Sequence, residues 1–349
     1  MTRTVHAQTP TDLLAMVPFL LGFHPERSIV LLTLGEAGTP VHARQDLPAA
    51  DDLAADVGRL VADLVTVARR ARLRRAALVA YTDAPGLAAA VARPLARALT
   101  DAGVDVPVCV RTDGRRWHCL AEDDPGDEGG CGGACPGEGT PYDLARHPLT
   151  LEAVVQGRVV MPSRDALRDT LNGDDPDEIA RVAVAAERAG DTLMAVCRGP
   201  GGESDPVRGR AFMVQEGRWV QHRLSAFLRD RDRLESQEVG RLLVALAAIE
   251  VRDVAWALLD HDNAGQHVDL WRDVLRRSPL ETQAAPAALL AFAAWLAGDG
   301  ALAWCAVDRS QEAEPGYSLA GLVAQALAGA VPPHQWQPLG PDALTLFAG

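Results

Sequence analysis

Four cysteines fall close together in the first half of the chain: Cys109, Cys119, Cys131 and Cys135. Thiolates and imidazoles in such a cluster are the usual ligands of tetrahedral zinc. Strands are expected at 106–111 and 115–120, and side-chain alternation limits which ligands can meet. With Asp113-Gly114 as a two-residue hairpin turn, Thr112 faces Arg115, Val110 faces Trp117 and Val108 faces Cys119. Val108, Val110, Trp117 and Cys119 then share one face, and Cys109, Arg111, Arg116 and His118 share the other. The zinc set easiest to assemble is Cys119, Cys131, Cys135 and one histidine, His118 or His147. Such a zinc is structural, pinning a loop that has no core of its own. The spacing matches no CxxC knuckle, and unliganded thiols are the competing reading. Cys197 and Cys305 sit in apolar stretches and read as small core residues.

A second constellation is polar. Alternation places His42, Arg44 and Asp46 on one face of a strand, and Tyr81 and Asp83 end the AALVAY strand. His24 stands in the turn that leads into the first strand. If the sheet is parallel there, strand C-terminal ends flank a ligand crevice. Arg44 can clamp a carboxylate or phosphate with its planar fork. His24 or Asp83 can serve as a base. The competing reading is a solvated face on which Arg44 and Asp46 neutralise one another and His24 finishes a turn beside Pro25.

The elements that must position these residues alternate in the first half. An apolar helix from Asp12 stops at Gly22 and Pro25 and feeds a strand at 28–34. A turn at 35–40 and a partner strand at 41–47 follow. Residues 51–72 read as an amphipathic helix, 76–81 as a buried strand, and a further helix starts at Pro85 and ends near Gly103. Residues 122–142 are rich in Gly, Asp, Glu and Pro without periodicity, and read as a loop carrying Cys131 and Cys135. Short helices are expected at 151–156 and after Ser163, which can cap. From Pro176 onward the pattern is helical, with segments at 179–189, 217–234 and 237–260. Two further helices meet at Gly298-Asp299-Gly300, and another begins near Ser318. This last stretch resembles a shortened tetratricopeptide hairpin. The expected architecture is an α/β or α+β sheet domain over 1–172 and an all-α, repeat-like domain over 173–349.

Composition removes several function classes. All 34 basic residues are arginine, with no lysine in 349 residues. That excludes a P-loop of the GK[ST] type, a pyridoxal Schiff base and a protein-kinase site. A net charge of −13 argues against nucleic acid as a partner. The cluster Arg69, Arg70, Arg72, Arg74 and Arg75 reads as a helix C-terminus complementing the dipole. No apolar run reaches membrane-spanning length, and no small-residue cleavage site follows the first apolar block, so the cytoplasm is the expected location. Six cysteines in that compartment are expected as thiols or metal ligands rather than disulfides. GxSxG, HExxH, GxGxxG after a strand and EF-hand loops are all missing from the sequence.

The blocks DLLAMVPFLLGFHPERSIVLL, ARQDLP, GRRWHCL, CPGEGTP, MPSRDAL and AAWLAGDGALA together resemble an uncharacterised family of high-GC bacteria, domain-of-unknown-function family 4192. The resemblance covers most of the chain. It implies an α/β domain followed by helices, and no activity. In one respect the chain departs: the family tends to place two cysteines side by side before the proline, whereas here only Cys135 precedes Pro136.

Two function classes remain. One is a non-catalytic regulatory or scaffold protein that binds a protein partner, or itself, through its helical half. Five of the seven tryptophans (Trp256, Trp271, Trp295, Trp304, Trp336) fall there, three of them, Trp256, Trp295 and Trp304, expected between helices and Trp336 as a contact or clamp. The other is a small-molecule-binding or hydrolytic enzyme with a pocket at His24, Arg44, Asp46, Tyr81 and Asp83.

Overall fold

The computed structural model describes residues 9–35, 42–49, 53–120, 138–155, 159–198, 203, 205–339, 344 and 346–347. The turn at 36–40, most of the cysteine loop, Cys131 and Cys135 lie outside the described residues. The chain divides into two compact units, Met1–Ala166 with Ala328–Pro332, and Leu167–Leu327 with Pro333–Gly349.

The first unit is built on a six-stranded mixed sheet in the order β2-β1-β3-β4-β5-β6. Its strands are β1 (Ser28–Thr33), β2 (His42–Asp46), β3 (Arg75–Tyr81), β4 (Asp105–Thr112), β5 (Arg116–Cys119) and β6 (Thr140–Pro141). β1 is antiparallel to both β2 and β3, β3 is parallel to β4, and β5 is antiparallel to β4 and β6. Helices α2 (Leu53–Arg70) and α3 (Pro85–Asp101) cover one face. There Ile29, Leu31, Leu78, Ala80 and Cys109 pack against Leu60, Leu64, Val91, Leu95 and Leu99. Arg69 and Arg70 fall in the last turn of α2, where the helix dipole favours cations.

On the opposite face Val30, Leu32, Val79 and Val110 are fully buried. Helix α1 (Pro10–Leu21) lies on this side, tied to β5 by Trp117 Nε1, which donates to Thr11 Oγ1 at 3.2 Å. Its start is fixed by a capping box: Thr9 Oγ1 accepts from Asp12 N, and Thr9 N donates to Asp12 Oδ2. Its end is Gly22 at φ +76°, a left-handed position that favours glycine. Leu13, Leu14 and Val17 are buried, so the apolar opening block is core.

The β4–β5 hairpin differs from the expected two-residue turn. Asp113 Oδ1 accepts the N–H groups of Arg115 and Arg116 at 2.9 and 2.7 Å, and Asp113 N donates to Arg116 O. This Asx arrangement widens the turn to residues 113–116. Thr112 therefore faces Trp117, and Val110 faces Cys119. A shift of two residues preserves every face, so Arg111 and His118 still share one and Val110 and Cys119 the other.

The second unit is helical: α6 (Pro176–Cys197), α7 (Pro206–Asp230), α8 (Ser236–Leu246), α9 (Ile249–Ala257), α10 (Ala264–Arg277), α11 (Ala284–Leu296) and α12 (Gly300–Ala313), with α13 (Ser318–Ala328) at the edge of the unit division. The short α4 (Pro148–Val155) and α5 (Arg164–Asp169) precede it, and Ser163 Oγ accepts from Ala166 N as a cap. The helix expected over 237–260 is two, because Ala248 leaves helical geometry at φ −84°, ψ 122°. The helix expected from 217 starts earlier, at Pro206, where Asp205 caps the N–H groups of Val207 and Arg208. α8 crosses α6 at Gly240, where a Cβ would lie 2.5 Å from Ala185 Cβ. α11 is buried along its whole length. Trp256 and Phe292 receive Trp336, stacked at 5.3 Å and edge-on at 4.9 Å, so Trp336 packs on α9 and α11.

Candidate functional site

The sheet gathers polar groups along one edge. β2 and β3 are both antiparallel to the strand between them, and β4 is parallel to β3. Their C-terminal ends, Asp46, Tyr81 and Thr112, therefore lie on the same edge. In register, Asp46, Ser28, Tyr81, Thr112 and Trp117 form one row across the sheet. The next row inward, Gln45, Ile29, Ala80, Arg111 and His118, projects to the other face. The β3–α3–β4 crossover brings the N-terminus of α3 to this edge, the usual ligand position in such sheets.

The residues expected from sequence are placed as follows. Arg44 pairs with Asp46 at 2.6 Å, donates to Glu26 O at 3.2 Å and lies over the Phe23 ring at 5.8 Å. Tyr81 stands in the row of Asp46, two strands away, and its hydroxyl is buried without a hydrogen-bond partner. Burial, then the neighbouring Tyr142, pushes its pKa well above the ordinary phenol value. His24 is exposed, its backbone N–H bonded to Met161 O, and Asp83 is exposed in the β3–α3 turn. Arg44 and Asp46 are thus brought together, while His24 and Asp83 face solvent. His42 shares the Arg44 face, with both ring nitrogens buried and unpartnered, and burial pulls its pKa down to about 4.

A second group on this edge joins Arg111, not picked out as a site from sequence, with His118, expected only as a zinc ligand. Arg111 is 7% exposed, and Nη1 donates to Thr82 O at 3.1 Å. Opposite it stands His118, whose Nε2 is 3.9 Å from Asp113 Oδ2 and whose ring lies against Gly139. Burial first, then the positive Arg111, lowers the His118 pKa below the ordinary imidazole value. Burial alone would raise the Asp113 carboxyl, but the N–H groups of Arg116 and Arg115, with Arg111 and His118, hold it below the ordinary value. Thr112 Oγ1 and the Tyr142 hydroxyl share a hydrogen bond of 2.7 Å. The one signal available in sequence was the shared face of Arg111 and His118; burial of the guanidinium had none.

For zinc, His118 and Cys119 project to opposite faces of β5, and Cys131 and Cys135 lie outside the described residues. Cys119 is disulfide-bonded, contrary to the expectation of thiols or metal ligands throughout. His147 pairs with Asp12 at 3.2 Å. Among the described residues no three His, Cys, Asp or Glu side chains are grouped to hold a metal. Cys109, Cys197 and Cys305 are not disulfide-bonded.

Cavities open among the described residues of the helical unit. One, of about 270 Å³, lies among α6, α7 and α8, lined by Thr192, Leu193, Phe212, Met213, Val244 and Ala245. Its polar end is closed by Glu216, held by both Nε and Nη2 of Arg241, which stacks 4.2 Å over Trp219. Another, of about 330 Å³, is lined by charged residues of α6 and α10. There Glu178 accepts from Arg277 Nε at 2.7 Å, Arg181 Nε at 2.9 Å and Ser236 Oγ at 2.9 Å. Against the cost of burial, these partners hold the Glu178 pKa down to about 2.

A family model, described as a domain of unknown function (DUF4192), matches residues 10–334. The chain belongs to that family. No curated protein and no solved structure matches it. The family match spans both units, so the sheet edge and the helical cavities both fall within its bounds. No helix among the described residues is long and apolar enough to cross a membrane.

Proposed function

We propose that the protein is a non-catalytic scaffold or regulator whose helical unit takes the apolar face of an amphipathic helix from a protein partner. The observation that carries this reading is the apolar cavity among α6, α7 and α8 and its surround. On the same helices Met194 of α6 is 53% exposed, Val207 of α7 is 78% exposed, and Val196 of α6 is exposed. An apolar cavity between helices that also expose large apolar side chains supports a helix-in-groove surface, and methionine, here Met213 in the lining, suits such contacts through its flexibility. Glu216 and Arg241 are spent on each other, so the groove offers its occupant apolar walls and no free charge. The helical hairpin α11–α12, with its Gly298-Asp299-Gly300 turn, is tetratricopeptide-like in this reading and supports a binding scaffold.

The test is capture from the native host followed by direct binding of the purified partner. Thr192 is exposed and lines the groove, so Thr192→Arg fills it without disturbing the core. The partner is expected to bind wild type and Arg44→Ala alike and to lose Thr192→Arg. Loss with Arg44→Ala and retention by Thr192→Arg contradicts the proposal. Light scattering of the purified chain identifies self-association as the same surface if Thr192→Arg alone dissociates it.

A further inference from the structure

Gly217 lies in the interior of α7, where glycine is a weaker helix former than alanine. The space left by its missing side chain is filled. A Cβ there would collide with Leu346 Cδ2 and lie 3.3 Å from Phe347 Cζ. Leu346 is 2% exposed and Leu344 is 8% exposed, although neither belongs to a helix or strand. Phe347 N donates to Leu344 O at 3.2 Å, which folds residues 344–347 into a single turn. Arg210, seven residues before Gly217 on α7, donates from Nη2 to Leu346 O at 3.2 Å. Among the described residues, that is the one hydrogen bond from Leu344, Leu346 or Phe347 to the rest of the chain. Apolar burial against α7 therefore holds the segment, which has no ladder or helix of its own. A segment held in this way opens at a small part of the cost of global unfolding.

A glycine notch, an arginine that receives a backbone carbonyl, and an apolar turn that fills both are the parts of a peptide site with its ligand in place. We propose that this face of α7 is a docking site for a short apolar turn of the type Leu-x-Leu-Phe. The chain fills it with its own residues 344–347, and a partner protein that offers the same turn takes it by displacement. The seated segment sets what the partner must bring: a leucine for the Gly217 notch, a ring against the same turn of α7, and a carbonyl for Arg210. Trp336, packed on Trp256 and Phe292, tethers the segment eight residues ahead of Leu344. Such tethering gives the chain's own turn an effective concentration on the order of millimolar. A partner displaces it only by binding tightly or by adding a second contact. The site is separate from the cavity among α6, α7 and α8, whose α7 wall is Phe212, Met213, Gln215 and Glu216. It stands or falls independently of the groove.

Leu346→Asp empties the site in the full-length chain, because a carboxylate is not accepted at a buried apolar position. A fluorescent peptide with the sequence of residues 340–349 is titrated into that variant by anisotropy. One saturable site per chain is expected. Wild type, whose own segment competes, binds the peptide at least about tenfold more weakly. Adding Gly217→Leu to the Leu346→Asp chain closes the notch and abolishes binding, and adding Arg210→Met weakens it about fivefold. Adding Thr192→Arg leaves it unchanged. A peptide carrying Leu346→Asp does not bind. Absence of a saturable site in the Leu346→Asp chain, equal affinity in wild type, or indifference to both Gly217→Leu and Arg210→Met overturns the proposal. So does unfolding of the Leu346→Asp chain without denaturant, which makes the segment a fixed part of the core.

Discussion

Arg277 and Arg111 are buried to nearly the same degree, 5% and 7% exposed, yet their surroundings are opposite. Arg277 Nε meets Glu178, Nη1 meets Asp273 at 2.9 Å and Leu234 O at 2.7 Å, and the cluster joins α6, α8 and α10. Arg111 meets one carbonyl. The helical unit thus treats a buried charge as a fastener, with every charge answered from within. The sheet edge holds one that, among the described residues, has a backbone carbonyl and the nearby Asp113 charge for company. Burial alone does not separate the two arginines; the count of partners does.

The comparison is broken or sharpened by substitution. Glu178→Gln leaves Arg277 and Arg181 short of their common acceptor, and a loss of about 3–5 kcal/mol of unfolding free energy is expected by urea denaturation. Because its folded pKa is depressed to about 2, the Glu178 contribution is present above the ordinary value of 4.5 and is lost as pH falls through about 2. His42 acts in a higher window. Its folded pKa of about 4 lies below the ordinary 6.5, so the sheet unit loses stability as pH falls from 6.5 through about 4. The loss amounts to at most about 3 kcal/mol. Hydrogen exchange of β1 and β2 amides should track it, and His42→Leu should flatten it. His267 in α10 shares this window, its pKa also near 4 through burial, so global denaturation will show both. Arg111→Met is expected to cost less than Glu178→Gln, on the order of 1–2 kcal/mol, since it gives up one hydrogen bond to Thr82 O. A loss as large as that of Glu178→Gln would place Arg111 with the fasteners. Thr192→Arg should change stability least, within about 0.5 kcal/mol, while removing partner binding.

Much of the fold was legible in sequence. Apolar runs at 28–33 and 76–80 are buried strands, and the spacing of Leu60 and Leu64 gave the buried stripe of α2. Gly22 and Ser163 acted as their types demand. The hairpin register was missed because Asp113 bonds its own turn, a local competition that alternation does not report. The break at Ala248 was missed because 237–260 carries apolar residues at helical spacing on both sides of it. At the site, Arg44 and Asp46 were correctly set on one face, and their mutual pairing is what the competing reading held. Arg111 was assigned a face but no role. Whether a strand arginine is solvated or buried depends on what lies over it, here including the Thr82 carbonyl after β3, and no periodicity within β4 carries that information.

The central claim is that the apolar groove among α6, α7 and α8 receives a helix of a partner protein. Binding of the purified partner to wild type and to Thr192→Arg, with urea denaturation of both, tests it most directly. The account predicts binding by wild type and its loss in Thr192→Arg at an unchanged unfolding midpoint. Binding retained by Thr192→Arg would contradict it.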